Sequence, residues 1–213
     1  MQIQLQKIVP KYLEIEKTQH SDIWNKEVVF KKGERIQIVA PSGSGKSTLI
    51  HLLYLMRNEY TGQILYDGKN LATFSPEHKA KYRQQQVSIV FQDLRLFAQH
   101  SAAANIEIKK TLMPFEAAAS LEEMAAQLGI TKKMQQNAGI CSYGEQQRIA
   151  IIRALQQPFD FLFLDEPFSH LDENNCIKAI QLITAEATKR NAGIILADLH
   201  KVPFYESDST LFL

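Results

Sequence analysis

The sequence predicts an α/β fold: a mostly parallel sheet flanked by helices, with an antiparallel β part at the N-terminus and a helical insertion. Three observations carry this. Apolar strand-like runs alternate with helix-like segments, and runs such as Phe161-Leu-Phe-Leu164 are continuously apolar, as in strands buried on both faces. The run Ile36-Gln-Ile-Val-Ala40 feeds straight into Ser42-Gly-Ser-Gly-Lys-Ser-Thr48, a strand leading into a glycine loop and then a helix. Between Gln92 and Ser142 the apolar residues recur at helical spacing.

Taken in order, Ile3–Ile8 and Glu27–Phe30 read as strands, and these first strands are expected to be antiparallel. Lys32-Gly33-Glu34 turns the chain into the strand that ends at Ala40. A helix is expected from Lys46 to about Arg57, followed by a short strand, Gly62–Gly68, closed by the turn pair Asp67-Gly68. Pro76 opens a helix through Ala80 and Tyr82, and Val87–Phe91 is an apolar strand. Phe115, Ala118, Leu121, Met124, Ala125 and Leu128 share a helical face, with Gly129 as the residue that ends it. A helix then runs from about Tyr143 to Leu155, the strand Phe159–Leu164 leads into Asp165-Glu166-Pro167, and Asp172 caps a helix from Glu173 to about Lys189. Ile194–Ala197 is a further strand and Leu211–Leu213 a last one.

Composition narrows the function classes. With 45% hydrophobic and 22% charged residues in 213, the chain has enough apolar mass for a core. Twenty-four basic residues against 23 acidic ones leave no electrostatic footprint for nucleic acid, so no nucleic-acid partner is expected. No run of 18 apolar residues occurs, and Met1-Gln-Ile-Gln-Leu-Gln alternates like a strand rather than opening a signal peptide. Cys141 and Cys176 have no paired spacing, which argues against a disulfide framework or zinc site and fits a reducing cytosol.

The glycine loop is the first chemical feature. Only nine glycines occur in the chain, so Gly43 and Gly45 within three positions are placed for a purpose. They free backbone N–H groups to converge on phosphate oxygens. Lys46 adds positive charge, the Ser47 hydroxyl can ligate Mg²⁺, and the helix start behind them favours an anion. Ser42, Ser44 and Thr48 complete the loop. Asp165 follows an apolar strand at the edge where parallel sheets bind ligands, and would hold Mg²⁺ through water opposite Ser47. Glu166, one residue on, is placed to orient an attacking water or accept its proton. Ser142-x-x-Glu145 is a capping box that starts a helix.

These segments resemble a known family. Cys141-Ser-Tyr-Gly-Glu-Gln-Gln-Arg148 resembles the signature loop of ATP-binding cassette (ABC) ATPases, usually L-S-G-G-E-Q-Q-R, and Asp165-Glu-Pro-Phe-Ser-His-Leu-Asp172 resembles their Walker B and D-loop. Gln92 sits where the Q-loop glutamine is expected and His200 where the switch histidine is, although Asp198-Leu199 departs from the usual Val-Thr. The resemblance implies the P-loop NTPase fold of ABC type, as one domain over residues 1–213 with a helical subdomain at roughly 93–150. It also implies an ATPase using ATP and Mg²⁺, with Ser47, Gln92 and Asp165 around the metal and Glu166, His200, Lys46 and Gln92 in catalysis. The implied partners are a transmembrane permease and a second cassette, identical or not, whose Ser142 and Gly144 close on the γ-phosphate. The implied place is the cytoplasm, on the inner face of the cell membrane, and the compact form resembles the lipoprotein-release, macrolide-export and cell-division group. A soluble non-transport ATPase, a weakly hydrolysing ATP-binding regulator and, more remotely, a P-loop kinase are the alternatives.

An aromatic upstream of the loop is expected to stack on adenine. Tyr12 is the first candidate and Trp24 the second, and either could belong to the core. Three residues depart from the family pattern. Ala40 replaces the first loop glycine, which costs about 1–2 kcal/mol if that position is left-handed and nothing if it is extended. Tyr143 replaces the first signature glycine and Cys141 the usual leucine.

Overall fold

The computed structural model describes residues 1–113 and 119–213. Two sheets form among them. One is antiparallel, in the order β2-β1-β4-β5, built from β1 (Gln2–Pro10), β2 (Glu27–Lys31), β4 (Tyr60–Tyr66) and the short β5 (Lys69–Asn70). The other is parallel, in the order β6-β7-β8-β3-β9, from β3 (Arg35–Val39), β6 (Val87–Val90), β7 (Phe161–Asp165), β8 (Gly193–Asp198) and β9 (Ser209–Phe212). Both expected sheet types are therefore present. Every residue of β6 and β7 is buried, which is why Phe161–Leu164 reads as an unbroken apolar run and β6 is interrupted only by Ser88, whose hydroxyl donates to the Ala154 carbonyl at 2.7 Å.

Two apolar cores flank the parallel sheet. Ile36 and Ile38 of β3 join Leu49, Leu52 and Leu53 of helix α1 (Lys46–Leu53) and the inner face of the antiparallel sheet, Ile3, Leu5 and Ile64. On the opposite side, Leu162 and Leu164 of β7 pack with Ile149, Ile151 and Ile152 of α5 (Tyr143–Leu155) and Ile180 and Ile183 of α6 (Glu173–Lys189). Buried side chains of this size contribute roughly 1.5–3 kcal/mol each.

The remaining helices are α2 (Pro76–Gln85), α3 (Ala102–Leu112) and α4 (Leu121–Gln127). Ser75, Ser101, Ser120, Ser142 and Asp172 each cap the helix that follows them. The end of α4 is as the sequence suggests: Gly129 has φ +66°, its N–H bonds the Ala126 carbonyl, and Ile130 N–H bonds the Ala125 carbonyl. Met124, Ala125 and Leu128 are buried as expected, whereas Phe115 and Ala118 lie outside the described residues.

The strand expected over Gly62–Gly68 runs instead from Tyr60 to Tyr66, and three other boundaries are corrected. Helix α1 stops at Leu53 rather than near Arg57, because Leu55 turns left-handed at φ +58°. Strand β7 starts at Phe161 rather than Phe159, since Asp160 is still pairing through its N–H with the Gln86 carbonyl. The last strand is Ser209–Phe212 rather than Leu211–Leu213, its register fixed by pairing with Ile36–Val39 of β3.

Candidate functional site

The register of the parallel sheet brings the C-terminal ends of β3, β7 and β8 side by side: Val39 pairs with Asp198, and Asp165 with Ala197. The loop leaving β3 folds back on itself, with the Pro41 carbonyl accepting from both the N–H (3.2 Å) and the hydroxyl (2.8 Å) of Ser44. Gly43 and Gly45 take φ +80° and +96°, conformations open to glycine at no steric cost. Ala40 is outside the left-handed region, and its N–H bonds the Asp198 carbonyl at 2.9 Å, so alanine is tolerated there.

A cleft of 280 Å³ opens above this loop, lined by Tyr12, Ser42, Gly43, Gly45, Lys46, Ser47, Thr48, Gln92 and Glu166 together with Pro41. The Lys46 ammonium and the Glu166 carboxylate, both buried, form an ion pair at its floor. Glu166 itself sits at φ +46°, a strained position for a non-glycine residue, and its N–H donates to the Ala197 carbonyl at 2.9 Å. The Ser47 hydroxyl donates to Gln92 Oε1 at 3.5 Å. Tyr12 is 56% exposed at the rim, and its phenol is hydrogen-bonded to the Thr48 hydroxyl. Arg57 approaches both oxygens, at 3.4 and 3.5 Å.

Asp165 is 1% exposed, and its Oδ1 has no hydrogen-bond partner. Burial pushes its carboxyl up to about 6; the Ser47 hydroxyl and the Lys46 charge pull the other way, while Glu166 and Asp198 add to the rise. An orphaned buried carboxylate oxygen beside a serine hydroxyl and the Gln92 amide oxygen is an all-oxygen donor set, the kind that suits magnesium. These residues fit a divalent cation.

Not every predicted residue enters the cleft. Ser44 faces away from it, giving its carbonyl to the Trp24 indole N–H at 3.0 Å. Trp24 is fully buried beneath the loop, which removes it as a surface on which a base could stack. His200 is exposed in the bend after β8 and is not part of the cleft wall. Ser142 and Gly144 lie at the start of α5, outside their own chain's cleft. Ser142 Oγ accepts from Glu145 N–H (3.3 Å) and its own N–H donates to Glu145 Oε2 (2.8 Å), completing the capping box. Tyr143 joins Ser47, His51, Gln92, Asp93 and Asp165 around an adjoining cavity of 400 Å³, and its hydroxyl donates to the Gln92 carbonyl at 3.1 Å.

Sequence reasoning missed three parts. Asp198 stands at the end of β8 with its carboxyl raised by burial and by Glu166, a third acidic group visible only through strand register. Gln147, fully buried, donates to Ser169 Oγ (3.0 Å) and accepts from His170 N–H (3.1 Å), tying α5 to the loop after Glu166. The bond from the Trp24 indole to the Ser44 carbonyl had no local signal at all.

Comparison with known proteins agrees with this geometry. The ABC transporter family matches residues 25–169. The ATP-binding protein LolD of the lipoprotein-releasing system of Roseobacter denitrificans is 37% identical over 144 residues, 66% of this chain and 63% of the relative, so this match spans less than two thirds of that protein. The ABC transporter ATP-binding protein YbbA of Escherichia coli K12 is 36% identical over 173 residues, 80% of this chain and 76% of the relative. The macrolide export ATP-binding/permease protein MacB of Marinobacter nauticus is 32% identical over 77% of this chain and 26% of its own length. In fold, a bacterial ABC transporter cassette solved as a dimer overlays 93% of the chain with a TM-score of 0.77 at 24% identity and 88% of its own length. A bacterial ABC exporter with ATP bound overlays all of the chain and 37% of itself, at a TM-score of 0.78 and 26% identity. With its glycine-loop cleft, two-sheet architecture and these relatives, the chain belongs to the ABC transporter family, as an ATPase cassette similar to the LolD, YbbA and MacB group.

Proposed function

We propose that the chain is the ATPase subunit of a transporter: it binds MgATP in the cleft above the 41–48 loop and closes on a second cassette to drive a separate membrane permease. The observation that carries this is the meeting of Lys46, Glu166, Ser47, Gln92 and the orphaned Asp165 oxygen at one sheet edge.

On this reading the N–H groups of residues 43–48 and the Lys46 ammonium grip the β- and γ-phosphates. Lys46 then exchanges its carboxylate partner for a phosphate, which releases Glu166 to orient water and accept its proton. Ser47 and Asp165, with Gln92, would hold magnesium, which would neutralise charge on the phosphate oxygens. Tyr12 stacks on adenine from the rim, and His200 swings from its exposed bend to the γ-phosphate. Ser142 and Gly144 act on the nucleotide of the other cassette, since neither reaches its own cleft.

The cassette is read as one domain whose helical part, about residues 93–150, meets the permease on the cytoplasmic side of the membrane. Exposed Phe97, Leu112 and Ile140 on this part support a protein partner. No helix among the described residues is long and apolar enough to cross a membrane. Affinity purification of the tagged protein from detergent-solubilised membranes tests the assignment. A multi-span membrane protein is expected with it, and is expected to be lost when Phe97 and Leu112 become aspartate. ATPase activity with no membrane protein attached would favour a soluble ATPase instead.

A further inference from the structure

The geometry points to Trp24 as a positioning residue that aims the phosphate-binding loop, acting through the Ser44–Gly45 peptide. The inference rests on reading residues 42–48 as the triphosphate site. The Trp24 indole N–H donates to the Ser44 carbonyl at 3.0 Å. In a trans peptide the carbonyl and the following N–H point in opposite directions. Holding the Ser44 carbonyl down toward the indole therefore turns the Gly45 N–H up, toward the cleft that Gly45 lines. The ring also fixes the height of the loop. A Cβ on residue 45 would stand 3.1 Å from Trp24 Cζ2, so the backbone rests directly on the indole.

Trp24 is itself rigidly placed. Its backbone N–H donates to Ser21 Oγ at 2.8 Å, and Ile23 N–H to the same oxygen at 3.0 Å, forming a tight turn. Asp22 ties this turn to β9: its N–H donates to the Phe212 carbonyl and its carboxylate accepts from Phe212 N–H, both at 2.8 Å. Strand β9 pairs with β3, which leads into the loop. The loop is thus braced from β3 above and, through β9 and the Ser21–Trp24 turn, from beneath. A ring serving only to fill the core would need neither the bond to Ser44 nor the contact with Gly45.

Trp24 is the one tryptophan of the chain, so its emission is a direct reporter. In the native protein, magnesium tripolyphosphate is expected to change that emission saturably and adenosine to leave it unchanged, with calorimetry measuring binding in parallel. In Trp24→Phe, which keeps an aromatic ring and removes the donor, KM for MgATP is expected to rise about three- to tenfold with kcat within twofold. A purely structural role would lower the amount of active protein and leave KM alone. Should the variant not fold, the emission titration of the native protein decides. Tripolyphosphate binding by calorimetry without an emission change, an emission change with adenosine instead, or an unchanged KM in a folded variant overturns the role of Trp24. Absence of any MgATP binding overturns the phosphate-site reading, and this inference with it.

Discussion

If Asp165 holds magnesium as proposed, it shows how a functional demand appears as a local cost. Its carboxyl ionises near 3.8 in an unfolded chain and near 6 in the fold, chiefly because burial disfavours the charged form. Between those values the native protein keeps a proton that the unfolded chain has released, so raising the pH from about 4 to about 6 lowers stability, and above 6 the penalty is constant. Asp165→Asn removes this contribution. The thermal midpoint of the ligand-free variant should therefore gain on the wild type more at pH 7 than at pH 4.5, while ATPase activity is lost. An equal difference at both pH values would show that Asp165 titrates normally. Glu166 is strained in a different way, by its φ of +46°. Both lie where a static fold would choose other residues, as sites under functional constraint do.

Helix α5 and the loop after Glu166 form the element on which the signature segment depends. Gly144 packs so closely that a Cβ there would stand 2.8 Å from the His170 carbonyl oxygen. Gly144→Ala would gain roughly 1 kcal/mol of helix propensity, but backbone must shift to relieve the contact, at roughly 1–3 kcal/mol. The balance predicts a lowered thermal midpoint, by a few degrees at most for a chain of this length. A raised midpoint would mean that the loop yields freely and the contact constrains nothing. This element also marks how far the sequence could be read. The Ser142 cap, the 42–48 loop and the Asp165-Glu166 pair were legible because each is encoded within a few adjacent residues. So were the parallel strands, through their largely apolar runs. Gln147 bridging to His170, Tyr143 reaching Gln92, Trp24 under Ser44 and the Lys46–Glu166 ion pair were not. Each joins residues at least 20 positions apart, which only the packing of the whole fold brings together. The left-handed Leu55 that ends α1 likewise has no turn residue to announce it.

At the scale of the molecule, the distribution of groups is lopsided. One chain places Lys46, Ser47 and Glu166 on one cleft with Asp165 on the cavity beside it, yet holds Ser142 outside it at the N-terminus of a 13-residue helix. A helix start left exposed favours an anion by about 0.3–1 kcal/mol, more once buried. A second copy packed head to tail would bring that start to the γ-phosphate, so that nucleotide bridges two chains and its hydrolysis removes the bridge. If so, activity per chain must rise with protein concentration and then level off, because only paired chains turn over. Glu166→Gln should bind MgATP, lose turnover and accumulate a species of twice the chain mass by light scattering, since closure no longer ends in hydrolysis. The same carboxylate is paired with Lys46, and a phosphate has to displace it, so the variant should also bind MgATP more tightly than the wild type. Activity strictly proportional to concentration across the range where dimers form, together with a Glu166→Gln variant that stays monomeric with ATP bound, would show that one cassette completes the reaction alone.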